Sequence, residues 1–213
     1  MKYNYNLVYS KRRSISASVS VDNVITVRCP IGYPKEKVDE FLAKKRDWFD
    51  KIIEKNSQSM SVNADIISLK KAYVQGNVLP VIISNKTTGI CSDGIYLSSR
   101  SIYPYIYCER FDARFINRVM YLAEQTSLKP QSIKIRDYRS RWGSCNARGN
   151  ITFNYKIHML AQDLQDYIII HELCHLQQMN HSAKFWRLVE TYMPDYKQLK
   201  KRLKNFDFLT RLY

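Results

Sequence analysis

The 213-residue chain contains no CxxC pair, and its five cysteines (Cys29, Cys91, Cys108, Cys145 and Cys174) are widely spaced and odd in number. That argues against both a disulfide framework and a cysteine-built zinc site, and leaves most of these thiols as small buried hydrophobes. Long apolar runs are missing too. The block "YIII" at 167–170 is far too short to cross a bilayer. The opening "MKYNYNLVYSKRRS" has no apolar run behind its basic residues, so no signal peptide and no membrane partner are expected. A soluble, cytoplasmic protein is the resulting expectation. No internal repeat and no low-complexity tract appears. Acidic residues are scarce, 19 against 34 lysines and arginines, giving a net charge of +15. Such a surface favours anionic partners, nucleic acid first. The basic residues are nevertheless spread through "KRRS", "LAKKR" and "KQLKKRLK" rather than gathered in one tail, which equally suits a solvated basic surface. The last scarcity is histidine: four in all, three of them within "HELCHLQQMNH", His171 to His181.

The content that remains, 45% hydrophobic and 13% aromatic, is that of a folded globular chain. Ile15, Ala17, Val19 and Val21 alternate with polar neighbours, Asp22-Asn23 supplies a turn, and Ile25, Val27 and Cys29 resume the period of two. After Pro34 the apolar residues Val38, Phe41, Leu42, Trp48, Phe49, Ile52 and Ile53 recur at helical spacing, and "NSQSMSVNAD" reads as a polar connector. "KAYVQGNVLPVIIS" and "GICSDGIYLSS" read as strand pairs with Gly turns. A second long helix carries Phe111, Phe115, Val119 and Leu122 on one side. "SIKIRDY" and "NITFNYK" are strands flanking "RSRWGSCNARG". From Asp163 onward three helices follow. Strands dominate the first half and helices the second, so the predicted class is α+β: a mostly antiparallel N-terminal portion with a long helix over 1–100, then a helical portion over 101–213, the two able to form one continuous domain.

His171 and His175 are four apart and on a helix project from one face, one turn apart. With Glu172 they form the H-E-x-x-H arrangement, two metal ligands and a carboxylate beside them that can take a proton from a bound water. A catalytic site needs a third ligand and an open fourth position. His181 suits that role if the helix breaks after His175: Asn180 tolerates a left-handed end and Ser182 is a good cap for the next helix. Metzincins share this spacing but have glycine where this chain has Gln178. Nitrogen ligands favour one Zn2+ ion. Cys174 and His158 read as structural. In "RWGSC", Gly143 permits a sharp turn or a close backbone approach. Two readings of its neighbours stay open: Arg141, Trp142 and Gly143 line a substrate cleft, or Trp142 is a core anchor and Arg141 an ion-pair partner. The stripe Phe185, Trp186, Val189 and Tyr192 reads as core.

"HELCHLQQMNHSAKFWRLVETYMPDY", together with "RSRWGSC" and "NITFNYK", closely resembles the YgjP-like metallopeptidases, the YgjP/WLM group of zincin-type peptidases. They are distantly related to the SprT/Spartan proteases that clear proteins crosslinked to DNA. The resemblance implies a cytoplasmic zinc peptidase acting on polypeptides, with His171, His175 and His181 as ligands and Glu172 as the catalytic residue. It supplies no substrate. Asn154-Tyr155 stands where members often have Asn-Trp. Two alternatives share the metal site. One is a nucleic-acid-associated protease acting on DNA-bound or crosslinked proteins; the other is a non-catalytic zinc-stabilised binding module.

Overall fold

The computed structural model describes residues 3–20, 23–84, 88–99 and 103–212, without the side chains of 58–62, 103–106 and 108–110. Val21, the last residue of the first expected strand, and Asp22, half of the turn expected after it, lie outside the described residues. The chain divides into two compact units, Met1–Ile67 and Ser68–Tyr213. The expected N-terminal portion, 1–100, thus takes in the first unit and the opening sheet of the second.

In the first unit, β1 (Tyr5–Ser10), β2 (Ser16–Val19) and β3 (Ile25–Pro30) form a sheet of order β1-β3-β2. β3 runs parallel to β1 and antiparallel to β2. Its alternation is real: Ile25, Val27 and Cys29 are buried while the residues between them are not. Two helices follow, α1 (Lys35–Lys44) and α2 (Arg46–Val62), and Val38, Leu42 and Phe49 join the core beneath the sheet. The single break is at Lys45, which leaves helical geometry (φ −104°, ψ 12°) yet still donates to the carbonyls of Phe41 and Leu42. The tract expected as a connector is instead helical to Val62, with a further turn, α3, at Ala64–Ile67. It holds no Gly or Pro to end a helix. Two of its polar residues also have partners: Asn56 donates to the Ser20 carbonyl, and Asn23 donates to the Ser57 hydroxyl.

The second unit opens with β4 (Lys71–Val74) and β5 (Asn77–Ile83), joined by Gln75-Gly76 with both φ values positive (49° and 86°), the conformation a two-residue type I′ hairpin requires. β6 (Gly89–Ile90) and β7 (Ile95–Leu97) complete a sheet of order β4-β5-β7-β6, in which β5 and β7 are parallel. α4 (Tyr103–Thr126) buries Phe111, Phe115, Val119 and Ala123. β8 (Ser132–Arg136), β9 (Gly143–Cys145) and β10 (Asn150–Asn154) form a third sheet of order β8-β10-β9, leaving β9 at its edge. A 3-10 turn at Tyr155–Met159 leads to α5 (Gln162–Cys174), α6 (Ala183–Tyr192) and α7 (Tyr196–Leu203), and a 3-10 segment, Lys204–Arg211, follows. The class is α+β with mixed sheets. No helix among the described residues is long and apolar enough to cross a membrane.

α5 is the centre of this unit. It is buried all round, with Leu164, Tyr167, Ile168, Ile169, Ile170 and Leu173 facing neighbours on several sides. Each such residue stabilises the fold by about 1.5–3 kcal/mol relative to exposure. Its start is fixed by the β4–β5 hairpin, whose Gln75 and Gly76 amides donate to the His158 and Met159 carbonyls. A Cβ on Gly76 would lie 2.7 Å from that of Ala161, the residue before α5, so only glycine fits there. Arg118 of α4 grips Asp166 of α5 with two bonds of 2.9 and 2.7 Å. Asp163, in the first turn, bonds the Leu164 amide and pairs with Arg202. His158 is structural: buried between Phe111 and Phe115, it pairs with Asp112 Oδ1 at 2.7 Å. Of the cysteines, Cys29 and Cys174 are buried, Cys145 half-buried and Cys91 exposed; the Cys108 side chain is not among those described.

Candidate metal centre

His171 sits in the last turn of α5, and the helix ends at Cys174, so His175 is its C-cap and keeps αR geometry (φ −65°, ψ −18°). The chain then turns tightly, with amides 176, 177 and 178 bonding back to the carbonyls of Leu173 and Cys174. Asn180 is not among the residues with positive φ, so the expected left-handed end is not used. Continued right-handed turning does the work instead, and it tolerates Gln178 where a left-handed position would favour glycine. Ser182 caps α6, accepting from the Phe185 amide. The outcome is that ligand atoms of His171, His175 and His181 all lie within 4.8 Å of one another.

These rings suit a cation. Tetrahedral bonds of 2.0–2.1 Å set ligand nitrogens about 3.3 Å apart. Here His171 Nε2 and His181 Nε2 are separated by 3.0 Å. Two such nitrogens repel unless a proton or a cation stands between them. His175 Nδ1 donates to the Gln178 carbonyl at 3.0 Å, which fixes its tautomer and turns the Nε2 lone pair outward. His171 Nδ1 is buried without a hydrogen-bond partner among the described residues. Burial, then the neighbouring His175, His181 and Lys200, lowers the His171 pKa to about 3. His181 is lowered by burial, His175 and Lys200. Neutral imidazole is the form a metal binds.

Phe185 is the floor of the cluster. It is fully buried, stacks on His175 at 4.5 Å and meets His171 and His181 edge-on. Trp186 stacks on His181 at 5.6 Å and on Tyr196 at 5.4 Å. The sequence reading of this stripe as core holds for Phe185 and Val189. What it missed is the contact of Phe185 and Trp186 with the imidazoles. The available signal was their position in the first turn of the helix that follows His181. The second element missed is the Gln178 carbonyl, which no side-chain pattern reveals.

Glu172 is 6% exposed, and burial raises its pKa to about 8, with Arg141 pulling in the opposite direction. The "RWGSC" segment lies directly against it. A Cβ on Gly143 would be 2.8 Å from both Cγ and Oε1 of Glu172. Of the two roles for this glycine, close approach is the one in use; its φ is not positive. Trp142 turns inward instead. Only 8% exposed, it donates from Nε1 to Asp207 at 3.2 Å, anchoring the loop to the C-terminal segment. Arg141 is exposed, its guanidinium 5.7 Å from the Tyr138 ring. Cys174 is a core thiol, raised to about 12 by burial.

A protein-family model described as YgjP-like, metallopeptidase domain, matches residues 13–206. Among solved structures, the crystal structure of the metallopeptidase zymogen of Pyrococcus abyssi abylysin is similar at 25% identity and a TM-score of 0.39, covering 42% of this chain and 90% of that one. No curated protein matches the chain.

Proposed function

The chain belongs to the YgjP-like metallopeptidase family, and from that premise we propose that it hydrolyses peptide bonds with one zinc ion held by His171, His175 and His181 and with Glu172 as general base. The observation that carries this reading is the meeting of three imidazoles beside a buried carboxyl, with His175 already turned towards a common point by the Gln178 carbonyl. When bound, zinc supplies a Lewis acid that polarises a carbonyl and brings the pKa of water near neutrality.

Glu172 takes a proton from the attacking water at a carboxylate oxygen and passes it to the leaving amine. Its surroundings suit both halves of that task. Burial favours holding the proton and the Arg141 charge favours the ionised form, to which the charge of a bound zinc ion would add. Gly143 lets the loop backbone close over the carboxyl and exclude bulk water from one side. β9, paired only with β10 among the described residues, offers an edge to which an extended polypeptide can add as a further strand. Arg141, exposed beside that edge, faces the substrate side, and Trp142 holds the loop in place from behind.

Replacing Glu172 with Gln is the direct test. Turnover of a peptide or denatured-protein substrate is expected to vanish while zinc content stays at the wild-type level. A Glu172→Gln protein that cleaves at the wild-type rate sinks the mechanism. A wild-type protein that binds zinc and cleaves nothing would favour a zinc-stabilised binding module.

A further inference from the structure

α7 carries four cations, Lys197, Lys200, Lys201 and Arg202, and the circumstances of three of them differ. Lys197 pairs with Glu190 at 3.2 Å, and Arg202 pairs with Asp163. Lys200, between them, has no carboxylate within ion-pair distance among the described residues. It is nevertheless held in place, its Nζ lying 3.8 Å from the centroid of the Trp186 ring. Cation–π contact of this kind fixes the ammonium without neutralising it. Trp186 in turn stacks on His181 and lies 5.8 Å from His171. The ammonium is therefore seated on a side chain that touches two of the three clustered imidazoles.

A fixed positive charge beside rings that would hold another positive charge is unfavourable by itself. The arrangement is relieved when an anion binds within reach of the ammonium, and a peptidase's substrates carry one kind of anion in particular. Resting on the peptidase reading above, we propose that Lys200, seated on Trp186, is a specificity residue that binds a carboxylate of the substrate next to the scissile bond. That carboxylate is either the free C-terminus or the side chain of a Glu or Asp.

The experiment separates these sources and separates this inference from hydrolysis. A fluorescent octapeptide of uncharged residues is made in three forms: C-terminal amide, free C-terminal acid, and amide with one internal Glu. Binding to the full-length, zinc-loaded Glu172→Gln protein is followed by anisotropy. At least one acidic form is expected to bind about threefold to fivefold more tightly than the neutral amide, the scale of an exposed ion pair. Preference for the free acid alone assigns the seat to a C-terminus, and preference for the internal Glu assigns it to a side chain. Adding Lys200→Gln should erase the preference, Lys200→Arg should keep it, and Lys197→Gln, the same charge change on the same helix, should leave it intact. Equal binding of all three peptides overturns the proposal. So does a preference that survives Lys200→Gln, or one that Lys197→Gln removes equally, since bulk charge would then explain it. A single-stranded oligonucleotide that binds with the same Lys200 dependence and displaces all three peptides would assign the residue to phosphate and also overturn it. If the preference is found but the wild-type protein cleaves none of the peptides, the hydrolytic reading fails and the carboxylate seat stands.

Discussion

Gly143→Ala adds one carbon atom at the point where the "RWGSC" backbone touches Glu172. The new Cβ would sit 2.8 Å from Cγ and Oε1, whereas ordinary contact starts at 3.4 Å, so about 0.6 Å (3.4 − 2.8) must be found. The obstacle is the far part of a Glu side chain rather than backbone, so the carboxyl is what moves. Stability should therefore fall little, by about 1 kcal/mol or less, corresponding to roughly 2–4 °C in Tm for a chain of this size. Function should fall much further, because displacing a catalytic group by an ångström costs about 100-fold. The expected outcome is kcat/KM reduced by one to two powers of ten, zinc content unchanged and Tm near wild type. The assay is cleavage of a quenched fluorescent peptide, alongside metal analysis and thermal unfolding. Gly149→Ala is the comparison: that glycine has φ +75° and its nearest foreign atom, on Leu176, is 3.5 Å away. Backbone strain should lower its Tm while kcat/KM is kept. A Gly143→Ala protein with wild-type kcat/KM would refute the claim that this loop positions the general base.

Two further outcomes follow from the same geometry. In the metal-free protein the Glu172 carboxyl titrates near 8 when folded and near its ordinary value of 4.5 when unfolded, so raising the pH through that interval favours the unfolded chain. Glu172→Gln removes this penalty, and its Tm relative to wild type should rise between pH 4.5 and 8, whereas a gap independent of pH would contradict the burial of the carboxyl. Trp142→Phe keeps an aromatic ring but loses the bond to Asp207 and part of the buried indole; a loss of at least about 1 kcal/mol is expected by thermal or denaturant unfolding, and no loss at all would mean that the anchor is not used.

Much of this site was legible in the sequence because helical spacing is a rigid ruler. His171, Glu172 and His175 are set by the 3.6-residue period, and Ser182 announced the helix start that brings His181 round. Family resemblance, read from "RWGSC", "HELCH" and "NHSAKFW" together, is matched by the family model over residues 13–206. The turn itself was read less well. Right-handed turning from His175 onward replaces the left-handed end assigned to Asn180, since backbone hydrogen bonds to Leu173 and Cys174 leave no distinctive side-chain trace. Strand alternation located β2 and β3 but said nothing of their partners, since β3 shows the same alternation beside a parallel β1 as it would beside an antiparallel one. The tract at 56–65 looked like a connector by polarity alone. Asn56 and Ser57 are instead helix residues that bond to the β2–β3 turn. Trp142 could be assigned to cleft or core only once its partner, Asp207, was seen 65 residues away.

The proposed site draws three imidazoles, from one helix end and the turn after it, onto a single zinc ion. Zinc-edge X-ray absorption on the stoichiometrically loaded protein reads that coordination. One ion per chain with three imidazole nitrogens at roughly 2.0–2.1 Å, and loss of one of them in His181→Ala, is the expected result. A sulfur scatterer, or a spectrum that His181→Ala leaves unchanged, would contradict it.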